Sequence, residues 1–245
     1  MEITPEIQQW LEWMILTSQP LRKLSEDKMP VGIASGTLLD FRGKRFLLTV
    51  SHAVNMENTD WVMELGYDEN EGTEVYKLNH FSYIGELNIK SGKMEHIDYA
   101  YAEIATDVHP VFQTLTPRGP ASEKMPRHIF TEEDIVEPSV NSVYAFSGQV
   151  FPERHGESAF VTQPTVYPGL KFLRSEGSFH IFKLPVEHPG HDSFQGCSGA
   201  PIVDLKGKIV ALVCKGFEED NTIYGVSLSR YKFSLEFHCS EINPN

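Results

Sequence analysis

The chain has 245 residues, 40% hydrophobic and 22% charged, enough for one large domain or two small ones with real cores. Its 34 acidic against 21 basic side chains give a formal charge of -13, which repels phosphate backbones and anionic lipid and argues against nucleic-acid and membrane-surface binding. Three cysteines, Cys197, Cys214 and Cys239, make no disulfide framework, and no apolar run reaches the roughly 18 residues of a membrane span.

The opening Met1-Glu2-Ile3-Thr4-Pro5-Glu6 lacks the basic and apolar regions of a signal peptide, so a reducing cytoplasm is the expected location. A helix follows. Thr4 can cap it, Pro5 suits its first position, and Ile7, Trp10, Leu11, Met14 and Ile15 recur at helical spacing. The opposite face is acidic, so this helix is expected to lie against the body of the protein rather than on a membrane.

From residue 31 the pattern becomes short β-rich runs separated by turns. Val31–Leu39 and Arg45–Val50 flank the turn Asp40-Phe41-Arg42-Gly43-Lys44 and predict a hairpin. Further strands are predicted at 61–65, 74–78, 81–84 and 99–104. Residues 114–141, rich in Pro, charge and small side chains, read as a linker. Strands resume at 142–150, 160–166, 179–184, 200–204, 208–213 and 222–227. Many short strands with little internal helix pattern indicate an all-β sandwich or barrel.

Three segments carry the chemistry, in this order. Leu47-Leu48-Thr49-Val50-Ser51-His52-Ala53 places a histidine just beyond a buried strand. His96-Ile97-Asp98-Tyr99-Ala100 places an aspartate at the opening of an alternating one. Asp192-Ser193-Phe194-Gln195-Gly196-Cys197-Ser198-Gly199-Ala200-Pro201 places a serine in a tight glycine turn. A serine hydroxyl is a weak nucleophile until a base takes its proton, and a carboxylate can fix the tautomer of that base.

Together these segments resemble the chymotrypsin/trypsin-like serine peptidase family, in its disulfide-poor bacterial form, over residues 31–230. The resemblance implies two packed six-stranded antiparallel Greek-key barrels behind an N-terminal helix. The expected division is 1–28 helical extension, 29–113 first barrel, 114–141 linker and 142–245 second barrel. It implies His52 as base, Asp98 as its orienting carboxylate and Ser198 as nucleophile, with the amides of Gly196 and Ser198 as oxyanion donors. It also puts Asp192, six residues before the nucleophile, at the base of the specificity pocket with Ser193 and Gln195. The walls would be Cys214, Lys215, Gly216 and Gly225, the glycines leaving room for a long side chain. Cleavage after Lys or Arg is the resulting expectation, since a buried carboxylate wants a cationic partner. The Cys214–Gly216 backbone is expected to pair with the substrate strand.

Cys197 is framed by Gln195 and Ser198, so the glycines bracket Ser198 and the serine is the expected nucleophile. Secreted trypsins carry an acid where Cys197 stands, so activation by N-terminal cleavage is not expected. A regulatory partner, or ordering of the turn-rich segment Pro164–Asp192, would then control activity. Apart from a protein or peptide substrate and such a regulator, no partner is implied. The ten histidines show no metal-ligand spacing and no nucleotide motif is present, so neither metal nor cofactor is expected. The competing readings are a catalytically silent double barrel used for binding and an esterase of another fold. The esterase needs Gly-x-Ser-x-Gly and the order Ser, Asp, His, which is the reverse of the order here.

Overall fold

A computed structural model describes residues 4–54, 60–68, 72–116, 119–155 and 159–240. The first element is the expected helix, α1 (Pro5–Thr17), with the Thr4 hydroxyl accepting from the Ile7 amide. Its buried face carries Trp10 and Met14, and the Trp10 indole N–H donates to the Asp204 carbonyl at 3.0 Å. The helix thus leans on the C-terminal half of the chain.

Seven strands build the N-terminal half: β1 (Gln19–Leu24), β2 (Pro30–Phe41), β3 (Lys44–Thr49), β4 (Trp61–Asp68), β5 (Gly72–Lys77), β6 (Ser82–Asn88) and β7 (Lys93–Ile104). The expected hairpin is β2 and β3, in the register Thr37↔Leu48 to Phe41↔Lys44. The strand order is β5-β4-β1-β2-β3-β7-β6. Between β3 and β4 the four-residue helix α2 (Ser51–Val54) carries His52.

Residues 111–131 hold five two-residue strands, β8 to β12: Val111–Phe112, Leu115–Thr116, Gly119–Pro120, Met125–Pro126 and Phe130–Thr131. The last of these lies parallel beside β2, and Ile135 then bridges to Ile209.

Six further strands close into a barrel: β13 (Tyr144–His155), β14 (Ala159–Glu176), β15 (Phe179–Lys183), β16 (Pro201–Asp204), β17 (Ile209–Phe217) and β18 (Thr222–Ser227). The double-barrel architecture is therefore present. One expectation needs correction here. Pro164–Asp192 is not a long loop, because residues 159–176 form one strand and 179–183 the next, leaving only the turn 177–178 and residues 184–192 outside β-structure. Pro164 and Pro168 look like strand breakers, yet they sit opposite Gln149 and Ala145 in a hairpin whose register shifts locally. Such bulges are where a sheet tolerates proline.

The core has three parts. One fills the N-terminal sheet around Leu21, Leu47, Trp61 and Met63, and one fills the C-terminal barrel around Tyr144, Phe146, Phe182 and Ile202. The third joins the halves through Trp10, Phe41, Tyr99, Val203 and Leu212, and it is capped by helix α3 (Leu228–Ser240). Tyr231 of α3 stacks on Tyr99 with ring centres 6.0 Å apart. This shared cluster fixes the seam along which the site is assembled. Among the described residues no helix is long and apolar enough to cross a membrane.

Candidate active site

His52, Asp98 and Ser198 meet at the seam. His52 starts from α2, immediately after β3. Asp98 lies inside β7 rather than at its opening, close to where the β6–β7 register shifts between Tyr83 and Gly85. Ser198 sits in the turn before β16. His52 Nδ1 is 2.6 Å from Asp98 Oδ2, and His52 Nε2 is 3.0 Å from Ser198 Oγ. An ionised carboxylate can only accept, so Nδ1 carries the proton and Nε2 is free to accept from the serine hydroxyl.

Asp98 is held by more than the imidazole. Its Oδ1 accepts from the Ser51 hydroxyl at 2.8 Å and from the His52 amide at 2.9 Å, and its Oδ2 accepts from the Cys214 thiol at 2.9 Å. Burial by itself would raise the pKa of Asp98. The hydrogen bonds from His52 and Cys214, with the attraction of the imidazole, outweigh it and hold the carboxyl well below the usual carboxylate range. Cys214 moves the opposite way: burial first, then the neighbouring Asp98 charge, push its thiol far above the usual range. The donor atoms of His52, Asp98 and Cys214 lie within 4.8 Å of one another, the spacing of a metal site. In the structure these same atoms are paired with one another, His52 Nδ1 and the Cys214 thiol both meeting Asp98 Oδ2.

The nucleophile turn depends on backbone that only glycine adopts easily. Gly196 has φ +94° and Gly199 φ +88°. A Cβ on Gly199 would fall 2.1 Å from the Ser35 carbonyl oxygen and 2.2 Å from Thr49 Oγ1. The peptides of this turn are pinned in alternation. Cys197 N–H donates to Phe194, Gly199 N–H to Val213 and Ala200 N–H to the Cys197 carbonyl. Ser35 takes the carbonyls of Gly196, through its hydroxyl at 2.7 Å, and of Ser198, through its amide at 2.9 Å. Among the described residues, the amides of Gly196 and Ser198 make no backbone hydrogen bond. They are the two amides expected from the sequence as oxyanion donors.

The expected specificity residues fare differently. The backbone of Asp192 lies in the 3₁₀ turn His191–Phe194, while its side chain is outside the described part of the structure. Ser193 turns its hydroxyl to the Pro189 carbonyl, and its own carbonyl accepts from Tyr167. Gln195 is exposed. The Cys214 thiol is turned to Asp98, to which it donates. Lys215 extends its ammonium over Phe179, Phe217 and Tyr224, at 4.7, 5.4 and 5.5 Å from the ring centres. The glycines do not leave the expected room. A Cβ on Gly216 would lie 2.5 Å from His188 Nε2 and 3.2 Å from Ile223 Cδ1, so those side chains already fill that space. Gly225 faces the barrel interior, where a Cβ would meet Ala211 and Ile202 at 2.7 Å. Cys197 is fully buried, and burial pushes its thiol up to about 12.

Sequence reasoning missed Ser35, Ser51, the role of the Cys214 thiol and His188. Ser51 adjoins the histidine and could have been noticed, whereas the other three act across long stretches of chain.

No family model and no curated protein matches the chain. Solved structures do match in fold. A serine endoprotease from Yersinia pestis is similar over 96% of this chain and 67% of its own, at TM-score 0.53 and 15% identity. Human heparin binding protein is similar over 100% and 97%, at TM-score 0.57 and 10% identity. A scabies mite inactivated protease paralogue covers 93% and 96%, at TM-score 0.54 and 11% identity. The fold is that of the trypsin-like serine proteases, a double β-barrel. This set spans an endoprotease and an inactivated paralogue, so the fold alone does not decide activity and the side chains at the seam must.

Proposed function

We propose that the chain is a serine endopeptidase that hydrolyses peptide bonds through an acyl-enzyme. The observation that carries this reading is the unbroken chain from Ser198 Oγ through His52 to Asp98, at 3.0 and 2.6 Å. His52 takes the hydroxyl proton as Ser198 attacks the scissile carbonyl, then gives it to the leaving amine. Asp98 holds the imidazole in the required tautomer and stabilises the imidazolium. The Gly196 and Ser198 amides receive the oxyanion, and each such donor is worth roughly 3–4 kcal/mol in the transition state. Water then takes the serine's part and releases the acid.

Selection of Lys or Arg by Asp192 was the sequence expectation. The filling of the space beside Gly216 speaks against it, and that choice is argued in the next subsection. Control by a partner or by ordering of 184–192 belongs to the same proposal, the motive being the absence of an acid at position 197. A reducing compartment is consistent with three free thiols.

The test is a fluorophosphonate label. Ser198 is expected to be modified in the wild-type protein and unmodified in His52→Ala. A protein that stays unlabelled with and without candidate partners would be a silent binding module instead.

A further inference from the structure

The triad leaves one wall of the cleft unused. The resemblance to trypsin-like peptidases implies that a substrate whose scissile carbonyl sits on Ser198 sends the side chain of the residue before the cut between the turn at 191–195 and the strand edge at 214–216. Gly216 is the residue of that edge whose missing side chain would open a pocket. Its space is occupied from inside the protein. His188 Nε2 lies 2.5 Å, and Ile223 Cδ1 3.2 Å, from where a Cβ of Gly216 would be.

His188 is not a surface side chain that a ligand could brush aside. It is 8% exposed, its Nδ1 accepts the Gly190 amide at 3.1 Å, and its ring meets the Phe194 ring edge-on at 4.8 Å. Phe194 in turn packs on Tyr167 and Phe146, at 4.7 and 5.8 Å. The imidazole is thus backed by an aromatic stack, and displacing it would break a hydrogen bond and disturb that packing. Ile223 is 1% exposed and belongs to the barrel core.

We propose that His188 sets the depth of the specificity pocket, so that this endopeptidase cuts after small side chains such as Ala, Ser or Val and rejects Lys and Arg. The inference rests on the proposed peptidase activity and names its substrate class. A long cationic chain would have to displace the imidazole, whereas a methyl or isopropyl group can end above it. Pocket volume differences of this kind change kcat/KM by roughly tenfold or more per methylene-sized misfit.

The experiment measures kcat/KM on peptides differing only in the residue before the cut, with the fluorophosphonate label counting active Ser198. The wild-type protein is expected to favour Ala and Val over Lys and Arg by about 100-fold or more. His188→Ala is expected to narrow that gap at least about tenfold by admitting longer side chains, and His188→Asn by less. Faster wild-type cleavage after Lys or Arg would overturn the assignment while leaving the peptidase reading intact. So would an unchanged profile in a labelled His188→Ala. Should both variants fail to fold, the wild-type profile alone decides. Absence of any label removes both proposals together.

Discussion

The hydroxyl of Ser35, in the N-terminal sheet, donates to the carbonyl of Gly196, in the nucleophile turn of the C-terminal barrel, at 2.7 Å. Ser35 also donates its amide to Ser198 and accepts at its carbonyl from Thr49 Oγ1 at 2.8 Å. One fully buried residue of one half therefore fixes two carbonyls of the other. Those carbonyls belong to the peptides Gly196–Cys197 and Ser198–Gly199, so Ser35 braces the turn that carries the proposed oxyanion donors.

Ser35→Ala removes the hydroxyl and strands the Gly196 carbonyl in a buried place, at a cost of about 1–3 kcal/mol in stability. Because the hydroxyl orients the turn, kcat is expected to fall more than KM rises. Urea unfolding and steady-state kinetics on the same preparation check both. A loss of stability with kcat intact would reduce Ser35 to a folding residue.

Gly199→Ala is expected to be among the most damaging small substitutions in the chain, at about 4 kcal/mol or more. The new methyl meets the Ser35 carbonyl and the Thr49 hydroxyl at little over 2 Å, and the backbone there has positive φ. Soluble yield and thermal unfolding provide the measurement. A variant melting within a few degrees of wild type would mean the turn relaxes far more than its hydrogen bonds suggest.

Cys214 tests the support beneath the triad. Cys214→Ala takes one donor from Asp98 while His52 and Ser51 keep theirs, so kcat is expected to drop by a factor of a few, about 1 kcal/mol. Cys214→Ser keeps a donor and should stay near wild type. Its raised pKa also keeps the thiol unreactive, so iodoacetamide at neutral pH should modify the partly exposed Cys239 before Cys197 or Cys214. Alkylation of Cys214 first would contradict this description of its surroundings.

Asp98 gives the pH dependence. Its carboxyl titrates lower in the folded protein than the ordinary value near 3.9. The stability it contributes is therefore complete above that value and is lost as pH falls from about 4 through the folded pKa. Asp98→Asn removes this dependence, so its unfolding free energy should fall less steeply below pH ~4 than that of the wild type. The same substitution should lower kcat about 10⁴-fold at neutral pH by favouring the wrong imidazole tautomer. Matching acid limbs in the two proteins would show that other carboxylates dominate.

Much of the fold was legible in chain order. The Val31–Val50 hairpin, α1 and the barrel strands from 142 to 227, apart from residues 167–176 of β14, follow from period and turn residues, because both are local. The exceptions have local causes too. In β1, Pro20, Arg22 and Lys23 hide a strand whose Arg22 is buried against Glu64 at 2.5 Å. In α3, exposed Phe233 and Phe237 blur the buried stripe of Leu228, Tyr231 and Leu235.

The sequence by itself determined which three side chains to compare and in what roles, since the histidine, aspartate and serine each stand in a short segment whose neighbours show its geometry. Gly196 and Gly199 announce a turn, and Ser51-His52 follows a buried strand. Only the tertiary structure decided what surrounds them. The Cys214 thiol turned to Asp98, Ser35 locked a turn some 160 residues away, and His188 filled the space beside Gly216. Local chemistry is written in adjacent residues, but the occupant of a pocket is fixed by packing between segments distant in the chain, and no spacing in the sequence encodes which side chain arrives there.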